Sequence, residues 1–418
     1  MTASAARSPA RLSAGAPGRR RLLSAAGVVV LLALFAIFPL VFSSPLATTY
    51  GFDALIFIAA ATAWNIFSGY SGYLSLGHAV FFGSGMYAVA IGARDWNLTG
   101  DAVFGLLPLA AVVAAVIAVP VGLVALRVRR HTFVVITIAI FFIFQLMAFN
   151  FSFTGGTSGI TAPILNWAPG TYNDPFYYLA LVIAVVSLAL AWVIRGSRFG
   201  LHLRAIRDDE DRARSLGVHA MRTKLTALVL SAFITGLAGG LWYYFIGAAH
   251  PQSAYDPLFD LSLALMGFLG GLGTVFGPAL GALILEPTQQ WLTVRFTNDY
   301  LSEILLGVLF LIVILFLPRG LLPTLGERIT GWRSRHRDRP AAGTAGPGPA
   351  ADSAPPDSAP PDGAASGSAA PGSAPLDSAA AGGAAADGAA PDMTAPGTPA
   401  TAPAATPGPA GRREGTTS

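Results

Sequence analysis

The chain has 418 residues, of which 53% are hydrophobic and only 11% charged, with a net charge of +4 and a mean hydropathy of +0.59. A soluble domain carries roughly 25% charged residues, so a water-soluble enzyme is excluded, and the absence of cysteine removes disulfides, thiolate nucleophiles and Cys-based metal sites. Lys224 is the sole lysine and follows Thr223, so the chain carries no Gly-Lys-Ser/Thr phosphate loop with which to hydrolyse a nucleotide.

In chain order, residues 1–21 are a basic N-terminus (Arg7, Arg11, Arg19, Arg20, Arg21) followed by the apolar run 22–42. Apolar runs of roughly 18 or more residues cross a bilayer core of about 30 Å as helices. This run is too long for a signal-peptide core, and 43–45 is a poor cleavage site, so it reads as an uncleaved first span. Further spans are predicted near 46–67, 74–93, 104–126, 132–152, 175–195, 223–246 and 300–318. Between the last two lies 258–286, broken by Gly270, Gly271, Gly273 and Gly277-Pro278. Short arginine-rich loops stay in the cytoplasm. Both termini, Arg127/Arg129/Arg130, the loop 195–222 and 319–339 are therefore expected inside, and 153–174 outside. Parity then requires 258–286 to cross twice as short helices or to enter and return.

The expected fold is an all-α polytopic membrane protein of about eight to ten transmembrane helices with a broken helical hairpin. The transmembrane domain occupies 22–325 and a basic juxtamembrane segment 326–339. Residues 340–418, rich in Ala, Pro and Gly and without an aromatic residue, cannot bury enough surface to offset their ordering entropy. They are expected to be a disordered cytoplasmic tail.

Charges within the spans are few: Asp53, Asp260, Glu286 and Glu303, with His78 as a titratable neighbour. A proton-coupled carrier ordinarily needs a richer relay of buried carboxylates or histidines. No His/Asp/Glu set has metal-ligand spacing, and no acid–base pair stands out for a membrane-embedded enzyme; no metal or other cofactor is implied. The loop 195–222 (RGSRFGLHLRAIRDDEDRARSLGVHAMR) carries the most polar information. Asp208 is expected as an N-cap, with Asp209, Glu210 and Asp211 in the first turn and Gly217 at the C′ position of one short helix. That helix reads as a docking element for a cytoplasmic partner or as an ordinary solvated interfacial helix. Segment 68–93 mixes small residues with large aromatics, which allows close helix approach or a broken helix that presents backbone groups to a solute. The run 76–83 is weakly echoed at 272–277, as in internally repeated transporters.

Together these segments resemble the branched-chain amino-acid ABC transporter permease family, in particular its LivM-type membrane subunit. The residues that carry the resemblance are 69–83 (GYSGYLSLGHAVFFG), 154–160 (TGGTSGI), 204–210 (RAIRDDE) with Ala213 and 216–218, 267–281 (GFLGGLGTVFGPALG) and 317–321 (LPRGL). The resemblance spans about 25–325. It implies an importer permease in the cytoplasmic membrane, paired with a second permease subunit, two cytoplasmic ATPase subunits and an extracytoplasmic solute-binding protein. It also implies that the helix seated on the ATPase is formed around Arg204, Arg207, Asp208, Asp209, Glu210, Ala213, Leu216 and Gly217. The translocation pathway is expected to involve Gly72, Ser75, Gly77, His78, Gln145, Gly271 and Gly273. Where the family commonly carries a Glu…Arg pair, span 132–152 has Phe141, Phe142, Ile143, Phe144 and Gln145, which leaves branched-chain amino acids, other amino-acid-like solutes and amides open. The alternative class is a stand-alone secondary carrier or channel, which would transport without ATPase subunits.

Overall fold

The computed structural model describes residues 33–42, 44–163 and 172–295, together with 304, 305, 307, 308, 311, 315, 320–322 and 324. The chain divides into units Met1–Ala342 and Gly343–Ser418, and every described residue belongs to the first. The basic N-terminus, most of spans 22–42 and 300–318, the juxtamembrane segment and the tail lie outside the described residues.

The fold is all-α and polytopic. Its helices are α1 (Pro45–Trp64), α2 (His78–Asp95), α3 (Leu107–Ala125), α4 (Arg130–Asn150), α5 (Asp174–Gly196), α6 (Arg198–Asp208), α7 (Glu210–Ser215), α8 (Ala220–Ile246), α9 (Pro251–Ala254), α10 (Pro257–Gly270) and α11 (Gly277–Arg295). Two-residue strands β1 (Ile160–Thr161) and β2 (Ala248–Ala249) pair antiparallel, with Ile160 opposite Ala249. Among the described residues, five segments are long and apolar enough to cross a membrane: Pro45–Gly69, Gly100–Ala125, Arg130–Asn150, Asp174–Gly196 and Ala220–Ile246. Prolines at the first turns of α1, α3, α5 and α10 start those helices where a missing N–H is harmless.

The centre of the bundle is α8, wedged between α2 and α3. Its glycines remove the side chains that would hold the backbones apart, the usual route to tight packing where lipid offers no hydrophobic drive. A Cβ on Gly85 would lie 2.1 Å from the Gly236 carbonyl oxygen, and one on Gly239 would lie 2.1 Å from that of Phe82. Ala110 and Ala114 of α3 are fully buried against this column. At the periphery α3 and α4 expose Val112, Val116, Val135, Phe142, Ile143 and Leu146, an apolar face that a bilayer solvates.

Two interruptions shape the interior. After α1 the chain makes a π-helical turn at Asn65–Gly69, and α2 begins at His78, so the expected span 74–93 starts later than predicted. The intervening backbone is satisfied by side chains, as non-helical chain at membrane depth must be. Trp64 Nε1 donates to the Ser75 carbonyl (2.8 Å), the Ser75 N–H donates to Ser68 Oγ (3.2 Å) and the Leu76 N–H donates to Thr137 Oγ1 (3.2 Å). The second interruption, 271–276, is the tip of a hairpin formed by α10 and α11, which pack on each other and on α1. This tip reaches the end of the bundle where Gly69 and Arg195 lie.

Replacing Gly239 by Val should therefore force α2 and α8 apart, cost about 1–3 kcal/mol of stability and lower the unfolding midpoint of the purified protein. Gly105→Ala, with nothing within 4 Å of the added carbon, should leave the midpoint unchanged. Equal midpoints for Gly239→Val and wild type would contradict this packing.

Candidate coupling and pathway site

The loop after α5 forms two helices, not one. Ser197 caps α6 through an N–H···O bond from Gly200 (3.2 Å), and α6 runs to Asp208. Asp209 is extended (φ −155°, ψ 111°) and its carboxylate accepts the Asp211 and Arg212 N–H groups, both at 3.0 Å. The cap is thus Asp209, one residue beyond the Asp208 expected from the sequence, and Asp208 closes the preceding helix. The Arg212 N–H, ahead of the Asp211 N–H and the charges of Arg212 and Arg130, holds the Asp209 carboxyl below the usual range. At the other end Gly217 has φ +87°, and its N–H bonds to Arg214 while that of Val218 bonds to Ala213, both at 3.0 Å. This is a Schellman termination, with Gly217 at C′ as its residue type predicts. Ala213 is buried and Leu216 is 83% exposed.

The break at Asp209 turns Glu210 inward. Its Oε1 accepts from Lys224 Nζ (2.8 Å) and Arg214 (2.5 Å), and its Oε2 accepts from the Tyr73 hydroxyl. Lys224 is 1% exposed, and its ammonium also lies 4.1 Å from the centre of the Tyr73 ring, a cation–π contact. Burial pushes the Glu210 carboxyl up, but Lys224, Tyr73 and Arg214 outweigh it and hold the group below its ordinary value. Beside this knot Arg130 donates to the Ile206 (2.8 Å) and Arg207 (2.7 Å) carbonyls, a cation at the negative end of α6.

Arginines of the same loop stitch the two interruptions together. Arg207 Nη1 donates to the Gly69 carbonyl (2.7 Å), its stem lies against Gly72, and Arg195 donates to the Gly273 carbonyl (2.9 Å). Asn65 accepts from the Gly273 N–H and donates to the Thr274 carbonyl, both at 2.8 Å. Gly72 (φ +73°) and Gly273 (φ +76°) thus meet around Arg207, and Gly271 (φ +114°) ends α10 next to them. Arg204 makes local bonds to the Gly200 and Arg195 carbonyls.

The remaining predicted pathway residues lie deeper. His78 is fully buried, with Nε2 2.7 Å from Ser231 Oγ and Nδ1 3.0 Å from Ser75 Oγ. Because the Ser231 hydroxyl donates to the Ala63 carbonyl (2.6 Å), its oxygen accepts from His78. The imidazole is therefore the Nε2–H tautomer and accepts from Ser75 at Nδ1. Ser75 and Gly77 line a small cavity with Phe81, Phe133, Thr137 and Leu228. Gln145 donates to the Tyr255 carbonyl (2.7 Å) and lies apart from the loop knot. Asn65, Tyr73, Arg130 and Lys224 are not among the site residues expected from the sequence. The one available signal was Lys224 itself, a lone lysine near the start of an apolar helix.

Glu210 titrates below its ordinary value in the folded protein, so the stability it contributes is fully present at neutral pH. That contribution disappears as pH falls through the lowered value. Lys224→Met should cost about 1–3 kcal/mol at neutral pH by leaving Glu210 short of a donor. Glu210→Gln should flatten the acid limb of a plot of unfolding midpoint against pH. An acid limb unchanged by Glu210→Gln would show that another carboxylate governs it.

The chain matches the family described as the branched-chain amino acid transport system / permease component over residues 46–314. The high-affinity branched-chain amino acid transport system permease protein LivM of Salmonella typhimurium is 30% identical over 296 residues, covering 64% of this chain and 68% of that protein. The LivM protein of Escherichia coli K12 matches to the same extent. LivH of Salmonella typhimurium is 27% identical over 181 residues, 41% of this chain and 58% of its own. No solved structure matches significantly. With more than half of its length matched in this way, the chain belongs to the family of branched-chain amino acid transport system permease components.

Proposed function

We propose that this protein is the permease subunit of an ABC importer that moves branched-chain amino acids, or related small amino-acid-like or amide solutes, across the cytoplasmic membrane. It performs no chemistry on the solute, and ATP hydrolysis belongs to separate cytoplasmic subunits docked on α6–α7. The observation that carries this reading is the build of α7. Its outer surface offers exposed Leu216 and Arg212, while its root is tied through Glu210 to Tyr73, and Arg207 and Arg195 of the same loop bond the Gly69 and Gly273 carbonyls of the two interruptions. A partner pressing on α7 therefore acts on the segments that break the transmembrane helices. Relatives named LivM and LivH are both permease proteins of branched-chain systems, which supports a second permease subunit beside this one. An extracytoplasmic binding protein would deliver the solute.

Gly72, Ser75, Gly77, Gly271 and Gly273 are read as the moving part of the pathway, His78 as the hinge that keeps α2 registered on α8, and Gln145 as a wall residue. Domain limits follow: a transmembrane domain at 22–325, a basic segment at 326–339 and a tail at 340–418 that transport does not need. Arginine-rich loops support cytoplasmic termini and a cytoplasmic α7.

Leu216 tests the reading. A cysteine there should react with an impermeant thiol reagent only from the cytoplasmic face. Leu216→Asp should leave the permease in the membrane yet reduce ATP-dependent uptake and solute-stimulated hydrolysis about tenfold, as loss of a central apolar docking contact does. Wild-type uptake by Leu216→Asp, or uptake without ATPase subunits, would overturn the assignment.

A further inference from the structure

Helix α8 starts beside the loop knot at Lys224 and ends at Ile246, so the chain that follows it lies at the far end of the bundle. There it turns back inward: α9 packs on α2 and α4, and Tyr255 comes next, only 5% exposed. The Tyr255 ring takes the room left by Gly83 of α2. A Cβ on Gly83 would lie 2.6 Å from Tyr255 Cε1 and 2.7 Å from the Ala254 carbonyl oxygen. From α4, Gln145 donates to the Tyr255 carbonyl (2.7 Å), and the Phe144 ring lies 6.5 Å from that of Tyr255. The small cavity lined by Phe81, Phe133, Thr137 and Ile140 lies between the same two helices. Gly83 follows Phe81 on α2, and Phe144 follows Ile140 by one turn on α4. Tyr255 therefore stands over the cavity on the side away from the loop knot.

Static packing between two apolar helices would not need the polar groups gathered here. The Tyr255 side chain lies beside Ser84, and its ring stacks on that of Tyr87, with centroids 6.0 Å apart and planes 17° apart. The Tyr87 hydroxyl is buried and has no hydrogen-bond partner, a costly state for a hydroxyl. Departure of Tyr255 would open Ser84, Tyr87 and Gln145 to water or a solute, and would vacate more room than a leucine side chain fills. The α4 wall is also lightly held: of its 21 residues only Phe133, Thr137, Phe141 and Ala148 are buried. Non-helical chain at membrane depth is tolerated where it is buried in protein or lines a cavity, and the segment at Tyr255 meets the first condition closed and the second open.

We propose that Tyr255 is the outer gate of the translocation pathway: seated on Gly83 it shuts the crevice between α2 and α4 above the cavity, and solute enters when the ring leaves. Opening breaks the Gln145–Tyr255 bond and the contacts with Ser84 and Tyr87, and turns those three side chains into a polar lining. The proposal rests on the importer reading above and deepens it, because it names the residue that excludes solute and gives Gln145 the task of holding it shut. A handle for opening is present as well. Strand β2 pairs with β1, and the Ala162 N–H donates to the Gly247 carbonyl (2.8 Å), which joins this segment to 160–162. Those residues lie in the loop that the importer reading places outside, within reach of a docked binding protein.

The test uses right-side-out membrane vesicles carrying the assembled importer, with a charged, impermeant methanethiosulfonate outside. The chain has no native cysteine, so Thr137→Cys in the cavity is its one reactive site, and labelling of this chain is read by mass. Without ATP, adding Tyr255→Ala should raise the labelling rate about tenfold, whereas Tyr255→Phe, which keeps the ring, should leave it within about twofold. A rate unchanged by Tyr255→Ala, or raised as much by Tyr255→Phe, overturns the proposal. A second measurement leaves Tyr255 in place. With ATP sealed inside and leucine-loaded binding protein outside, Thr137→Cys should label about tenfold faster than in the same vesicles without ATP; equal rates overturn the proposal. If wild-type vesicles take up no leucine on ATP, the importer reading fails, while labelling in Tyr255→Ala still decides whether Tyr255 closes the crevice.

Discussion

Lys224 holds its ammonium where three parts of the chain converge: the start of α8, the turn after α1 and the root of α7. A lysine at 1% exposure would be expelled or neutralised unless other groups replaced its hydration shell. Glu210 supplies the countercharge and Tyr73 supplies a ring face, and both come from segments that would otherwise be free to slide. Removing either partner strands a buried charge. The knot is therefore strong as a constraint even though the net stabilisation of such a pair is modest. Its consequence is mechanical: α7 cannot shift without moving Tyr73, which stands in the unwound stretch before α2.

A second set of contacts extends that constraint to the other interruption. Arg207 and Arg195 reach the Gly69 and Gly273 carbonyls, and Asn65 ties 65 to 273–274. Backbone carbonyls freed by a helix break are costly inside a membrane protein, and here cations of the loop and one amide side chain satisfy them. The loop is thus the source of the donors that keep the breaks in place, and in the proposed importer it is also the surface the ATPase subunit touches. By contrast, the glycine column of α8 against α2 and α3 is rigid by close contact. Stiff packing lies beside hydrogen-bonded breaks, a division suited to a pathway that opens at the breaks and not between the inner helices.

The apolar runs and the glycine interruptions were legible in the sequence, because span length and backbone flexibility are local properties. Gly217 was legible for the same reason, since its left-handed conformation is written in its residue type. The two-helix form of the loop was not. Asp208 and Asp209 are equivalent as residue types, and the contacts of Glu210 with Tyr73 and Lys224 that accompany the break at Asp209 are long-range. Glu210 was expected in the first turn of one short docking helix, whereas its partners Tyr73 and Lys224 lie 137 and 14 positions away. His78 could be a solute contact or a packed histidine on sequence alone. The hydroxyls of Ser75 and Ser231, which occupy both ring nitrogens, come together only in the fold.

The central claim is that α7 and the hairpin tip at 271–276 move as one body. The chain has no native cysteine, so spin labels at Arg212→Cys on α7 and Phe276→Cys at the tip report on that pair alone. Pulsed dipolar measurements on the assembled complex, with and without ATP trapped in the partner subunits, should give the same interlabel distance within about 2 Å. A change of about 5 Å, the size of a one-turn slip between elements, would mean that the loop moves past the breaks, and would contradict the account.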